Sequence, residues 1–124
     1  MRKRFFAAVA ASAAFAGVIA TAPAASAEPS PPGCPKQYFC AYSGPGLTGR
    51  LLLKAAGRWS GSVAGVRSVI NNGVRHPGAD HVQLSWRYNG SSWNRCLHYN
   101  PGPGAYRIDF DSVRITRVAW RGEC

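Results

Sequence analysis

The sequence predicts an all-β domain, built as two Greek-key motifs packed into one disulfide-stapled sandwich, and three observations lead there. Short apolar or alternating runs are separated by Gly, Pro, Asn and Ser clusters. No window carries the 3.6-residue apolar period of a helix. The pattern also occurs twice: Tyr42-Ser43-Gly44-Pro45-Gly46 is echoed by Tyr99-Asn100-Pro101-Gly102-Pro103-Gly104, and Arg67-Ser68-Val69-Ile70 by Asp111-Ser112-Val113-Arg114. Either unit alone would leave a hydrophobic sheet face in water, so the two are expected to cover each other.

In chain order, Arg2, Lys3 and Arg4 precede an uncharged stretch from Phe5 to Ala22, and Ala25-Ser26-Ala27 offers the small residues that a signal peptidase reads. Residues 1–27 therefore read as a removable secretory signal. The run is Ala-rich and at the short end of the roughly 20 residues a membrane span needs. No later segment is apolar for long enough, so a secreted, extracellular product free of the membrane is expected. Residues 28–33 (EPSPPG) form a Pro-rich tether, expected to stay extended and disordered. The domain, residues 34–124, follows, with strands expected at Tyr38–Tyr42, Leu51–Leu53, Val66–Ile70, Val82–Tyr88, Tyr106–Phe110 and Val113–Trp120. In the last of these Val113, Ile115, Arg117 and Ala119 alternate with Arg114, Thr116, Val118 and Trp120, the mark of a strand with unlike faces.

Cleavage after Ala27 leaves 97 of the 124 residues, a chain short enough to need stapling. Cys34, Cys40, Cys96 and Cys124 all lie in the exported part, which fits two disulfides in an oxidising compartment. Four cysteines allow three pairings. Near-neighbour spacing favours Cys34 with Cys40, leaving Cys96 to Cys124. The ligand-pair spacing of a structural zinc site is absent.

Loss of Arg2, Lys3 and Arg4 takes the formal charge from +10 to +7. Ten arginines are scattered singly, without a run or a recognition helix, so nucleic acid is not an expected partner. A basic surface of this kind suits an anionic envelope polymer or an acidic protein.

The stretch CPKQYFCAYSGPGLTG, from Cys34 to Gly49, with RSVINNG from Arg67 to Gly73, resembles the secreted streptomycete metalloproteinase inhibitor family. The resemblance implies a βγ-crystallin-like fold and inhibition of an extracellular, thermolysin-like metalloendopeptidase by a rigid loop that lies in the active site as a slowly cleaved substrate. In the family the reactive bond follows a cysteine and precedes an apolar residue. With VQLSWRYNGSSWNRCL, from Val82 to Leu97, laid along the family's strand and loop, Cys96 and Leu97 fall on that bond; Leu97 reads equally as a core residue of the second Greek key. The family closes its reactive loop with a second cysteine a few residues downstream; here that stretch reads His98-Tyr99-Asn100-Pro101-Gly102-Pro103-Gly104, without one. The expected product is thus a monomeric, non-enzymatic inhibitor without metal or cofactor, and the alternative is a secreted cationic binding module for envelope polymers.

Other constellations point elsewhere only weakly. His76, His81 and His98 with Glu123 would suit general acid–base chemistry if they converged, but no phosphate-cradling motif, Gly-x-Ser-x-Gly or His-Glu-x-x-His accompanies them. Crystallin-type Greek keys often bind calcium next to the repeated serine. Arg67 stands at that position in the first unit and is incompatible with a cation, whereas Asp109 and Asp111 offer oxygens for a weak site in the second. Trp86 and Trp120, inside strands, are expected in the core; Trp59 and Trp93, among Gly and Ser, are free to line a carbohydrate strip.

Overall fold

The computed structural model describes residues 26–124, so the expected signal, residues 1–27, lies almost wholly outside the described residues. Six strands follow one another: β1 (Tyr38–Gly44), β2 (Thr48–Ala55), β3 (Trp59–Asn72), β4 (His81–Tyr88), β5 (Ser91–Leu97) and β6 (Arg107–Arg121). The domain is all-β. Every pairing is antiparallel, in one hydrogen-bonded ladder of order β2-β1-β3-β6-β4-β5.

Two of the expected strands, Tyr106–Phe110 and Val113–Trp120, are a single element, β6. Its irregular middle holds Ser112 at φ 133°, and the β3–β6 register shifts three times between Ser60 and Ser68. Such bulges bend and twist a strand pair. The bend matters for the core, because the main cluster takes Phe39 and Ala41 from β1, Leu53 from β2, Val66 and Val69 from β3, Val82 and Leu84 from β4, Leu97 from β5 and Val113, Ile115 and Val118 from β6. Strands β2 and β5 are the opposite edges of the ladder. They can share one core only if the ladder folds over itself, an arrangement compatible with the expected sandwich. β6 returns after β5 to lie between β3 and β4, a Greek-key crossover.

Both faces of β1 are buried. Phe39 and Ala41 face the main core, while Cys40 and Tyr42 join Cys34, Leu47 and Ile70 in a second cluster. The N-terminal segment is the cover for that second face: the Tyr42 hydroxyl donates to the Pro32 carbonyl at 2.8 Å, the Asn72 amide group donates to the Cys34 carbonyl at 2.9 Å and to Ser30 Oγ at 3.0 Å, and Glu28 pairs with Arg107 at 3.0 Å. Residues 28–33 are therefore docked, not the free extended tether that their proline content suggested. Proline keeps the segment extended; these bonds fix where it lies.

The two tight turns have different chemistry. Between β1 and β2, Gly46 and Leu47 both take positive φ, and Ser68 Oγ clamps the turn by accepting from the Leu47 amide at 2.9 Å and donating to the Gly44 carbonyl at 2.6 Å. Between β4 and β5, Asn89 and Gly90 at φ 50° and 77° form the Asn-Gly turn that matches strand twist. The second echo, Tyr99–Gly104, makes no hairpin. It is part of the long connection that carries the chain from β5 to β6.

Candidate functional site

The connection from β5 to β6 and the strand ends beneath it bring most of the expected site residues together. Cys96 pairs across the ladder with Gln83 and Leu97 with Val82. The Leu97 side chain is 0% exposed and sits in the main core. Cys96 is bonded to Cys124, and Cys34 to Cys40. As folded, then, the Cys96–Leu97 peptide is part of a strand, and Leu97 faces the core and not solvent. After it, the first exposed residues are Pro103, Gly104 and Ala105.

That exposed segment is a closed loop. The His98 amide donates to the Ala105 carbonyl at 2.9 Å and shuts its base. From inside, Asn100 pins it: its Oδ1 accepts from the Glu28 amide at 2.9 Å, and its Nδ2 donates to the Glu28 carbonyl at 3.2 Å and toward Asn72 Oδ1 at 3.4 Å. Lys36 Nζ also reaches Asn72 Oδ1, at 2.9 Å, and burial lowers the pKa of this ammonium. On the other side of the loop root, Asn71 Nδ2 donates to the Asp80 carbonyl at 2.9 Å and the Leu97 carbonyl at 3.4 Å. The adjacent asparagines of RSVINNG thus hold two different things: Asn71 ties the strand end that carries Leu97, and Asn72 ties the N-terminal segment and Asn100. None of the three asparagines is a nucleophile or a favoured ligand type. Their only signal in the sequence is an Asn-Asn pair ending an apolar strand, where a side-chain amide has backbone groups to satisfy.

Of the three histidines, two converge. His81 opens β4 at 1% exposure, with its Nδ1 2.6 Å from Asp80 Oδ1 and its Nε2 3.6 Å from Glu123 Oε2. The His98 ring meets it edge-on, with centroids 4.5 Å apart. The His76 ring stays exposed; only its amide takes part, donating to Asp80 Oδ2 at 2.9 Å. Burial alone would raise the Asp80 carboxyl, but the His76 amide and the His81 ring hold it below its ordinary value.

The remaining expected residues lie on a separate face. Asp109 accepts from the Gly46 amide at 2.9 Å and braces the β1–β2 turn, and Asp111 is exposed nearby. With Arg67, Trp86, Tyr88, Trp93 and Phe110 they line a shallow groove. Trp93 is 53% exposed, whereas Trp59, Trp86 and Trp120 pack against the core.

A family model described as peptidase inhibitor family I36 matches residues 27–102. No curated protein and no solved structure matches the chain.

Proposed function

The chain belongs to peptidase inhibitor family I36, and from that membership we propose that it restrains a secreted metalloendopeptidase of the thermolysin kind, through the closed loop rooted at Cys96 and Leu97. That it is a peptidase inhibitor and not an enzyme comes with the family. The metalloendopeptidase class is supported by the resemblance of Cys34–Gly49 to the streptomycete inhibitors, and export is supported by the signal-like residues 1–27 and the two disulfides.

The observation that carries the choice of loop is its preorganisation. A substrate-like inhibitor must present backbone to the catalytic zinc without the ordering cost that a flexible peptide meets, and must keep its ends in place if the chain is cut. The family uses a short disulfide ring. Here the His98–Ala105 hydrogen bond, the buried Leu97 and the Asn100 clasp hold the same stretch, while the Cys96–Cys124 bond ties its N-terminal root to the end of the chain. Cys96 and Leu97 are then the fixed base of the inhibitory segment, and Pro101–Ala105 is the part an enzyme meets. The formal +7 charge of the exported chain favours approach to an acidic enzyme surface.

Titration of the secreted protein against a thermolysin-like enzyme tests this reading. Stoichiometric inhibition is expected, and replacing Pro101-Gly102-Pro103 by three glycines should weaken it at least tenfold with the fold intact. A well-folded protein that leaves such enzymes untouched would favour the second reading, an envelope-polymer module. The exposed Trp93 and Tyr88 beside Arg67 and Asp111 support that reading, since aromatic faces and charged groups are what sugars stack and hydrogen-bond upon.

A further inference from the structure

We propose that His81 and Glu123 form a binding site for a zinc-like divalent cation, with Asp80 as the carboxylate that orients the imidazole from behind. The ligand atoms of Asp80, His81 and Glu123 lie within 4.8 Å of one another. Three features give this cluster the organisation of a metal site.

The first is the tautomer. Asp80 accepts on both oxygens, from the His76 amide on Oδ2 and from His81 on Oδ1. With Oδ2 taken by the His76 amide, Oδ1 faces His81 as a carboxylate acceptor. The proton of a neutral His81 therefore resides on Nδ1, and Nε2 carries the lone pair. A carboxylate hydrogen-bonded to one nitrogen while the other faces a cation is the usual outer shell of a histidine ligand.

The second is the spacing. His81 Nε2 and Glu123 Oε2 are 3.6 Å apart, too far for a good hydrogen bond. Two ligands at about 2.1 Å on a tetrahedral ion are about 3.4 Å apart. The pair thus stands close to the separation that a bridging zinc requires, with little movement needed.

The third is the setting. His98 donates from Nδ1 to the Tyr99 carbonyl at 2.7 Å, so its neutral ring also keeps an unprotonated Nε2, and it lies edge-on to His81 with centroids 4.5 Å apart. His81 is held in the core, whereas Glu123 is 85% exposed and gives the cation a route in from solvent. Imidazole with one carboxylate selects zinc or its neighbours over calcium, which takes six to eight oxygens. Water completes the coordination. A bound ion would join the start of β4 to the segment after β6, a second clamp beside the Cys96–Cys124 bond.

The site is independent of the inhibitory reading, and its test does not involve a peptidase. The secreted protein, stripped with chelator, is titrated with zinc at pH 7.5 by calorimetry, and its melting temperature is followed in parallel. One zinc per chain, a rise in melting temperature and no response to calcium are expected. Glu123→Gln should weaken zinc affinity at least tenfold while the metal-free protein melts as before, because this exposed side chain adds little to the fold. Asp80→Asn should weaken it about 10- to 100-fold, and His76→Asn should leave it unchanged, since only the His76 amide is used. Absence of stoichiometric zinc binding would overturn the proposal, as would equal affinity in Glu123→Gln or loss of binding in His76→Asn. A melting temperature that changes with pH but not with zinc would show the cluster to be a simple ion pair.

Discussion

Leu97→Ala separates two roles that the same residue has on paper, bait for an enzyme pocket and root of the loop. Leu97 is wholly buried among residues from all six strands, so the truncation removes a fully packed side chain and leaves a cavity, at a cost of about 2–5 kcal/mol. For a domain of about 100 residues each kcal/mol shifts the melting temperature by about 4–8 °C, so a fall of about 10 °C or more is expected. The inhibition constant is measured against a thermolysin-like enzyme well below the variant's melting point, where the protein is still folded. If Leu97 is a root, the constant should change by less than about fivefold, because residues 101–105 are still held by Asn100 and the His98–Ala105 bond. A drop in affinity of 30-fold or more, about 2 kcal/mol, with the melting temperature within a few degrees of wild type would refute this reasoning. It would mean that Leu97 leaves the core to fill the enzyme's pocket.

Further outcomes follow from the same contacts. Asn100→Ala removes a buried side chain with three polar contacts, and at about 1 kcal/mol each should cost about 2–3 kcal/mol in denaturant unfolding while increasing proteolytic nicking at residues 101–105. Ser68→Ala unclamps the β1–β2 turn and leaves the buried Leu47 amide without its acceptor; a loss of about 1–3 kcal/mol, with inhibition unchanged, is expected. Asp80 titrates below its ordinary range when folded and at that range when unfolded, so its contribution is present above the unfolded value and lost as pH falls through the depressed one. Acid unfolding of Asp80→Asn should accordingly show a shallower dependence on pH than wild type. If charge steers the encounter with an acidic peptidase, the association rate should fall about tenfold or more between low and high salt, with a much smaller change in dissociation rate.

The fold class was legible because it rests on features that single residues announce. Turn residues such as Gly46 and Asn89-Gly90, β-branched runs such as Val66–Ile70, and near-neighbour cysteines are local signals. β5 was not legible as a strand: Ser91–Arg95 is exposed throughout and polar except for Trp93, as an edge strand with one row of free backbone groups in water can be. The apparent echo of Tyr42–Gly46 in Tyr99–Gly104 misled for a related reason. Both segments carry Pro and Gly, but what makes the first a hairpin is Ser68 arriving from β3, and its counterpart Ser112 sits exposed in the irregular middle of β6. Local sequence left the role of Leu97 open between bait and core. A leucine after a cysteine at a strand end reads as bait or core according to which face the register turns inward, and the register is set by pairing with Val82 and, through it, Trp120.

The docking of residues 28–33 shows how a loop can stay closed without the disulfide ring expected of it. A ring of a few residues fixes a loop by its own short covalent path. This chain instead fixes its loop by reference to three distant segments: Glu28 through Asn100, Asn72 through the same amide, and Cys124 through Cys96. Each attachment is weaker or longer-ranged than a local disulfide, but they act on different atoms, so no single motion releases them all. The arrangement also links the loop to the N-terminal segment, because the Glu28 amide and carbonyl are the two groups that the Asn100 side chain satisfies. Glu28 would become the new N-terminus if the expected signal is cleaved after Ala27. A chain end there would carry an ammonium in place of an amide, and a charged donor strengthens a hydrogen bond to Asn100 Oδ1. On this argument the loop should be held more firmly in the cleaved protein than in its precursor.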